Sequence, residues 1–388
     1  MTPLQDLKVL DLTRVLAGPN ATQMLADFGA TIWKVEALYG DEARTWGEAA
    51  FAQFNRGKMS IAVNIAEPRG QELIRQLARK ADVFTENFKV GNLARFGLGA
   101  DDLLEINPRL ICASITGFGQ TGPRSRLPGY DMIAQAYSGM MSLTGERDGG
   151  PLRLGVPLVD LMTGHYATLG ILFAILHRNQ TGKGQKIDVS LYDVALSANA
   201  SASSYLNGGY VTRRYGAAHS SFAPCQLYAA AGGPVMIAIG NDLQFRRLCE
   251  AIGLAHLADD PKFATNADRV ANKAELNALL EPVFARTPRD ELIALLEDGQ
   301  VPVGPVYDID EVYDDPQAVA RGAVQDDDGA AVRVLANPLR FMTDSPPRRH
   351  SFVPRRGEHT RTLLREQLGM PEAEIDGLIR DKVLFDGE

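Results

Sequence analysis

Cysteine is scarce in this chain. The three thiols, Cys112, Cys225 and Cys249, are odd in number and show no metal-ligand spacing. That excludes a disulfide framework and fits buried thiols of a reducing compartment. No group of His, Cys and acidic residues has the spacing of a metal site, so none is expected. Long apolar runs are missing too. The longest, Ala167 to Leu176, contains Gly170 and falls short of the ~18 residues a membrane span needs. The opening MTPLQDLKVLDLT has no basic region leading into an apolar stretch, so no signal peptide is read and a cytoplasmic protein is expected. Neither GxGxxG nor GxxxxGK[ST] follows any strand candidate, which argues against a redox dinucleotide or a P-loop nucleotide. Basic residues are outnumbered, 40 against 48 acidic for a net charge of −8, and lie spread along the chain. Nucleic acid is not an expected partner, nor is a membrane.

What is present is ordinary for a globular protein. Of 388 residues, 45% are hydrophobic and 23% charged, enough for a core in each of two domains. Short β-rich runs alternate with amphipathic stretches over the first part of the chain. "LKVLDLT" and "ATIWKVE" read as strands, separated by the loop "RVLAGPN" and the helical stretch "ATQMLADFG". "PRGQELIRQLARKADVFTENF" reads as a proline-started helix feeding a strand that ends near Glu86, and "NPRLICASITGFG" as a further strand. This alternation predicts an α/β fold, a doubly wound parallel sheet whose ligands bind beyond the carboxyl ends of the strands. "TGKGQKIDVSLYDVALS" reads as turn, strand and helix. From about Ser201 to Pro224 the chain turns small and polar, as a linker or active-site loop does. A hairpin and helices follow, the last helical run broken at Pro288. The organisation predicted is a large domain over 1–205, a linker loop and smaller α+β domain over 206–325, and a return to the large domain over 326–388. The tail contributes a short β run and a final helix, "GEHTRTLLREQLG".

One carboxylate stands out. In "GVPLVDLMTGHYATLGILFAIL", from Gly155 to Leu176, Asp160 sits where a proline and aliphatic segment meets a stretch apolar enough to be a buried helix. A charge taken out of water is costly unless it is paired or used. Asp160 therefore either caps the following helix or is a nucleophile, and the residues by themselves leave both open. His165 and His177, on the same stretch, read as packed rather than catalytic.

Several segments together resemble the family III coenzyme A transferases (CaiB/BaiF), the group that includes formyl-CoA and carnitine CoA transferases. The resemblance rests on "KVLDLTRVLAGPNATQMLADFGATIWKVE", "NRGKMSIAVNI", "ADVFTENFKVGNLARFGL", "SITGFGQTGP", "PGYDMIAQAYSGMMSLTG", "VPLVDLMTGHYA", "RNQTGKGQKIDVSLYD" and "GVPVGPVYDIDEVYDDPQ", in family order along nearly the whole chain. It implies that Asp160 is the nucleophile and carries CoA as a covalent aspartyl thioester, the logic of covalent catalysis. It implies CoA as substrate and covalent intermediate, a small carboxylic acid as acceptor, and an interlocked homodimer. Val15 and Leu16 would meet the nucleotide end of CoA through their backbone, with Asn87, Phe88, Lys89 and Arg95 completing the site and the two basic residues suited to phosphate. Two departures are visible. Ala37 stands where family members often carry an arginine, with Arg44 the nearest substitute, and Ala66 stands where a family lysine is expected.

Tyr130, in "PGYDMIAQ", occupies the position at which related racemases use a histidine. An unperturbed tyrosine, with a pKa of about 10, is a poor base at neutral pH, so Tyr130 is expected to orient substrate while Asp131 holds the local loop. Arg213, Arg214 and His219 lie in the loop read as a lid, where an arginine could grip the second carboxylate of a dicarboxylic acid. The activity expected is CoA transfer, possible donor succinyl-CoA. An acyl-CoA racemase or isomerase, or a CoA-binding protein without turnover, are the alternatives.

Overall fold

A computed structural model of the chain describes residues 2–325, 332–343 and 352–387. The chain divides into two compact units. The first is Met1–Met140, Arg153–Ser203 and Val319–Glu388, and the second is Met141–Leu152 and Ser204–Ala318.

The first unit is built on a seven-stranded sheet. Its parallel strands are β1 (Lys8–Asp11), β2 (Thr31–Glu36), β3 (Met59–Val63), β4 (Val83–Glu86), β5 (Ile111–Thr116) and β6 (Gln185–Ser190). Their spatial order is β3-β2-β1-β4-β5-β6, and Leu384–Phe385 adds an antiparallel edge beside β3. Alternation along each strand divides the core in two. Leu10, Trp33, Val35, Ile61 and Phe84 face the helices Pro68–Ala78, Thr360–Leu368 and Glu372–Arg380. Val9, Ile32, Val83 and Ile111 face the other way, toward the helices Ala17–Asp27 and Leu158–Thr181.

On that second face the apolar pattern breaks at the carboxyl ends of the strands. Asp11 stands in register with Lys34 on one side and Thr85 on the other, and Lys34 with Ser60. This row is buried, and Lys58 at the start of β3 is buried with it. Lys58 Nζ donates to Asp11 Oδ2 at 3.2 Å, Thr22 Oγ1 at 2.7 Å, Asn55 Oδ1 at 3.2 Å and the Pro19 carbonyl at 3.1 Å. Lys34 Nζ donates to Asp41 Oδ2 at 2.8 Å and to the Thr13 carbonyl at 3.1 Å. Burial pushes the Lys58 ammonium down to about 8 against the pull of Asp11. Asp11 is penalised by the same burial, yet Lys58 and Lys34 hold its carboxyl below the ordinary value.

The structure differs from the sequence expectations in several places. The first helix starts at Ala17, inside the segment read as loop, and takes in Pro19. A proline in the first turn removes only an N–H that has no partner within the helix. The helix Leu158–Thr181 is long and apolar enough by composition to cross a membrane, with a mean hydropathy of 1.5. Uninterrupted runs understate it, because Gly and Thr are carried within the helix. Its Val159, Thr163, Ala167, Ile171 and Ala174 are buried, and it packs on Ala17–Asp27 and the sheet as a core helix does. Gly164 permits that packing: a Cβ there would lie 2.5 Å from Asn20 Nδ2. His165 and His177 lie on the exposed side of this helix, not packed within the protein. The polar stretch near Ser201 contains the helix Ala202–Gly208, and the tail ends in a second helix, Glu372–Arg380, beyond the one read from sequence.

The second unit holds a three-stranded antiparallel sheet of β7 (Cys225–Ala230), β8 (Gly233–Ala238) and β9 (Val303–Pro305). Helices Asp242–Ala251, Lys273–Phe284 and Arg289–Asp298 cover it around Phe245, Phe284, Leu280 and Leu292. Pro288 falls between the last two helices, where the sequence places the break. Cys112 and Cys249 are buried thiols that burial pushes up to about 12, while Cys225 is half-buried.

A buried charge left without its partner is strongly destabilising. Asp11→Ala should therefore cost about 3–5 kcal/mol, read from urea unfolding, because it removes the carboxylate paired with buried Lys58, whereas Lys34 keeps Asp41. A loss under about 1 kcal/mol would show that water or rearrangement replaces the carboxylate.

Candidate active site

Asp160 is the third residue of the helix Leu158–Thr181, and its side chain does not cap that helix. The cap comes from elsewhere in the chain. Asp131 Oδ2 accepts the backbone N–H of Val159 at 2.8 Å and of Asp160 at 3.1 Å. Gln135 fixes the capping carboxylate: its Nε2 donates to Asp131 Oδ1, and its Oε1 accepts the Leu154 N–H at 2.9 Å. The two readings of Asp160 are thereby separated. Asp131 is the capping group, and Asp160 is left half-buried with no hydrogen bond to its carboxyl among the described residues.

The electrostatics follow from that arrangement. Burial first, and then the negative charge of Asp131, push the Asp160 carboxyl up to about 7. A helix N-terminus favours an anion, but the N–H groups of Val159 and Asp160 are given to Asp131 rather than to the Asp160 carboxyl.

The carboxyl opens into a cavity of about 180 Å³ at the carboxyl ends of the strands, which Val15, Leu16, Asn87, Phe88, Lys89 and Tyr130 also line. Tyr130 is exposed and opens the short helix Asp131–Tyr137. Lys89 is exposed at the cavity. Arg95, expected in the same site, sits exposed on the short turn Ala94–Phe96 and is not among the lining residues.

The loop at residues 13–15 is pinned residue by residue. Lys34 takes the Thr13 carbonyl at 3.1 Å. Asn87 exchanges two hydrogen bonds with Arg14: its Oδ1 accepts the N–H at 3.0 Å and its Nδ2 donates to the carbonyl at 2.8 Å. Asp41 Oδ1 accepts the Val15 N–H at 3.1 Å. Val15 needs this support, because its φ of +72° is an unfavourable conformation for a β-branched residue. The Asn87 amide thus holds the loop that shapes the cavity.

Two features of the site escaped the sequence reading. Gly117 and Gly129 line the cavity with their backbones in contact; a Cβ on Gly117 would lie 2.4 Å from the Gly129 Cα. Both glycines are visible in "SITGFG" and "PGYD", but nothing in sequence says that they meet. Arg14 also lines the cavity, with its guanidinium carbon 5.0 Å from the Phe88 ring centroid.

Arg44, expected to replace the arginine absent at Ala37, is occupied inside the protein. Its Nε and Nη2 each donate to Glu36 at 2.6 Å, and Nη1 donates to the Pro354 carbonyl at 3.1 Å. Arg213, Arg214 and His219 belong to the second unit. There Arg214 donates to the carbonyls of Ser142 at 3.2 Å and Gly149 at 2.8 Å, which ties 141–152 to the loop that carries it. Arg213 is exposed, and exposed His219 accepts the Ser221 N–H at 3.0 Å and stacks near Phe222.

Fold and site together define an α/β protein with a ligand crevice at the carboxyl edge of its sheet and a poorly solvated carboxyl within it. The chain belongs to CoA-transferase family III, whose model matches residues 4–360. It is 42% identical over 383 residues to a succinate–glutarate CoA-transferase of Agrobacterium fabrum, a match spanning 94% of this chain and 95% of the relative. It is 39% identical over 400 residues to the succinyl-CoA:glutarate CoA-transferase of Mus musculus, covering 99% and 91% of the two chains. Among solved structures it is similar to a CaiB/BaiF family protein from Brucella suis, with a TM-score of 0.87 and 43% identity over 94% of this chain and 99% of that one.

The Asp131 charge and its two hydrogen bonds can be tested apart. Asp131→Asn keeps an oxygen for the Val159 and Asp160 N–H groups but removes the like charge, so Asp160 should ionise at lower pH. The acidic limb of the pH–rate profile should fall from near pH 7 by roughly half a unit or more. An unmoved limb with an intact fold would mean that Asp131 acts only as a cap.

Proposed function

We propose that this protein moves CoA from an acyl-CoA, with succinyl-CoA as the first donor to try, to a small dicarboxylic acid through a thioester on Asp160. The observation that carries the reading is the Asp160 carboxyl itself, poorly solvated, without a hydrogen-bond partner among the described residues, and facing the cavity. Such a group is a stronger nucleophile when ionised than a fully hydrated carboxylate, and near neutral pH a useful fraction is ionised.

The steps balance without a net proton. The Asp160 carboxylate attacks the acyl carbonyl of the donor and expels the CoA thiolate, leaving a mixed anhydride. The thiolate then attacks the Asp160 carbonyl and releases the donor acid as its carboxylate, so that CoA is held on the enzyme. The acceptor carboxylate attacks this thioester, again expelling thiolate, and the thiolate captures the acceptor acyl group and frees Asp160. Glutarate and succinate are the acids to test first, because the relatives named above act on them. The racemase alternative is less well supported. Among the described residues Tyr130, and no histidine, lines the cavity, and a tyrosine is a poor proton acceptor at neutral pH.

A homodimer is part of the same proposal. The helix that carries Asp160 exposes Tyr166, Leu169, Phe173 and Leu176 along one side, with Phe173 65% exposed. An apolar stripe of this kind is normally covered by another surface. Sedimentation of the full chain at micromolar concentration should show two copies; a persistent monomer would remove this element.

The decisive experiment is intact-protein mass spectrometry after brief incubation with succinyl-CoA or acetyl-CoA, beside Asp160→Ala. An added CoA mass on the wild type only, released by hydroxylamine, is expected. If a wider donor panel also left the protein unlabelled while an acyl-CoA lost its α-hydrogen label, the chemistry would be that of a racemase.

A further inference from the structure

Glu86 is the last residue of β4 and stands one position before the segment that walls the Asp160 cavity, yet it does not line that cavity. It is buried and faces a second cavity, of about 470 Å³. Lys89 and Val90 line both cavities, so the loop that follows Glu86 is a partition between them. Strand register sets Glu86 beside Ser114 on β5, and Ser114 beside Asp188 on β6. Asp188 Oδ2 accepts the Gln120 N–H at 2.8 Å. The remaining charged groups on this cavity are exposed Lys89, Lys186 with its partner Asp101 at 2.7 Å, and Asp102, whose Oδ2 accepts the Gly99 N–H at 2.9 Å.

Burial, with the like charge of Asp188, pushes the Glu86 carboxyl above the ordinary value, although the Ser114 hydroxyl and the Phe88 N–H both donate to it. The Phe88 N–H lies 2.7 Å from Glu86 Oε2. A carboxyl raised in this way costs stability when ionised at neutral pH. A glutamine would offer the same acceptor without that cost, so stability alone does not account for a carboxylate here. What the charge supplies is a stronger hydrogen bond to the Phe88 N–H. Phe88 carries the ring that lies 5.0 Å from the Arg14 guanidinium carbon, and Asn87 beside it holds the Arg14 main chain through two hydrogen bonds. Glu86 thus supports the partition directly, and Arg14 through Asn87 and Phe88.

Resting on the transferase reading above, we propose that Glu86 is a positioning residue for the thioester donor. Its carboxylate holds the Phe88 N–H from behind, and so fixes the 87–89 segment and the seat of Arg14 before CoA arrives. Without an acceptor at position 86 the partition can take other shapes, and CoA must order it on binding, which weakens affinity. The chemical step is affected less, because Asp160 stands on the helix Leu158–Thr181, whose start is capped by Asp131 and not by Glu86.

The test is calorimetric binding of CoA to the full-length protein at pH 8, beside Glu86→Ala, Glu86→Gln and Asp102→Ala, each with its melting temperature. Glu86→Ala should weaken CoA binding by about fivefold or more. Glu86→Gln keeps an oxygen for the Phe88 N–H and loses the charge opposed to Asp188. It should bind CoA within about threefold of the wild type and melt no lower. Asp102→Ala removes a carboxylate of the same cavity that holds only the start of the helix Ala100–Ile106. It should melt lower and leave CoA affinity within about twofold of the wild type. A smaller loss in Glu86→Ala overturns the proposal. So does an equal loss in Glu86→Gln, or in Asp102→Ala, which would mark a general softening of the fold. Should Glu86→Ala fail to fold, Glu86→Leu fills the space without an acceptor and is judged by the same threshold. Wild type that binds CoA but forms no thioester would refute the transferase reading, and the binding comparison would still decide the role of Glu86. Wild type that binds no CoA would refute both.

Discussion

The buried row of charges at the carboxyl ends of β1 and β2 and the start of β3 is the constraint on which the site depends. Asp11, Lys34 and Lys58 are taken wholly out of water, and each is held there by partners from at least two separated segments. Removing ions from water is unfavourable, and hydrophobic residues in the same places would commonly be no less stable. What the charges supply is direction. Lys58 ties Asp11 to the start of the Ala17–Asp27 helix through Thr22 and the Pro19 carbonyl. Lys34 ties the Thr13 carbonyl to Asp41, and Asp41 in turn holds the strained Val15. An apolar core in this region would leave the Thr13 carbonyl and Asp41 without their lysine, with Asn87 still holding Arg14.

From that fixed loop the position of Asp160 follows by packing. The Ala17–Asp27 helix leaves the loop and lies against Leu158–Thr181, with Gly164 allowing close approach and Asn20 Nδ2 donating to the Leu161 carbonyl at 3.1 Å. Asp131 then takes the free N–H groups at the start of the second helix. One carboxylate does the structural work of capping so that the other is left without internal hydrogen bonds. A single aspartate cannot easily do both, because the hydrogen bonds that stabilise a cap lower the reactivity that a nucleophile needs.

Glu36 and Arg44 satisfy each other within the protein, and Ala37 and Ala66 place no charge on the wall of the neighbouring cavity. The same backbone with cations at these two places would present a different face to a ligand. Changes of this kind leave the sheet and the nucleophile untouched, because side chains at the carboxyl ends of strands are not needed for strand pairing.

Much of this protein was determined by local sequence alone. The strands β1, β2, β4, β5 and β6 and the helix Pro68–Ala78 are legible because alternation and helical spacing are set by the burial of nearby residues. Asp160 is legible because a carboxylate between apolar segments is rare and the surrounding motif is long. Tertiary structure decided the rest. That Asp131 caps the helix of Asp160 depends on a contact across 29 positions, and that Gly117 meets Gly129 depends on how two loops cross. The loss of Arg44 to Glu36 and the meeting of Ala37 with Ala66 depend on strand register. Each of these is set by which residues share a neighbourhood after folding, and periodicity carries information only about residues close in the chain.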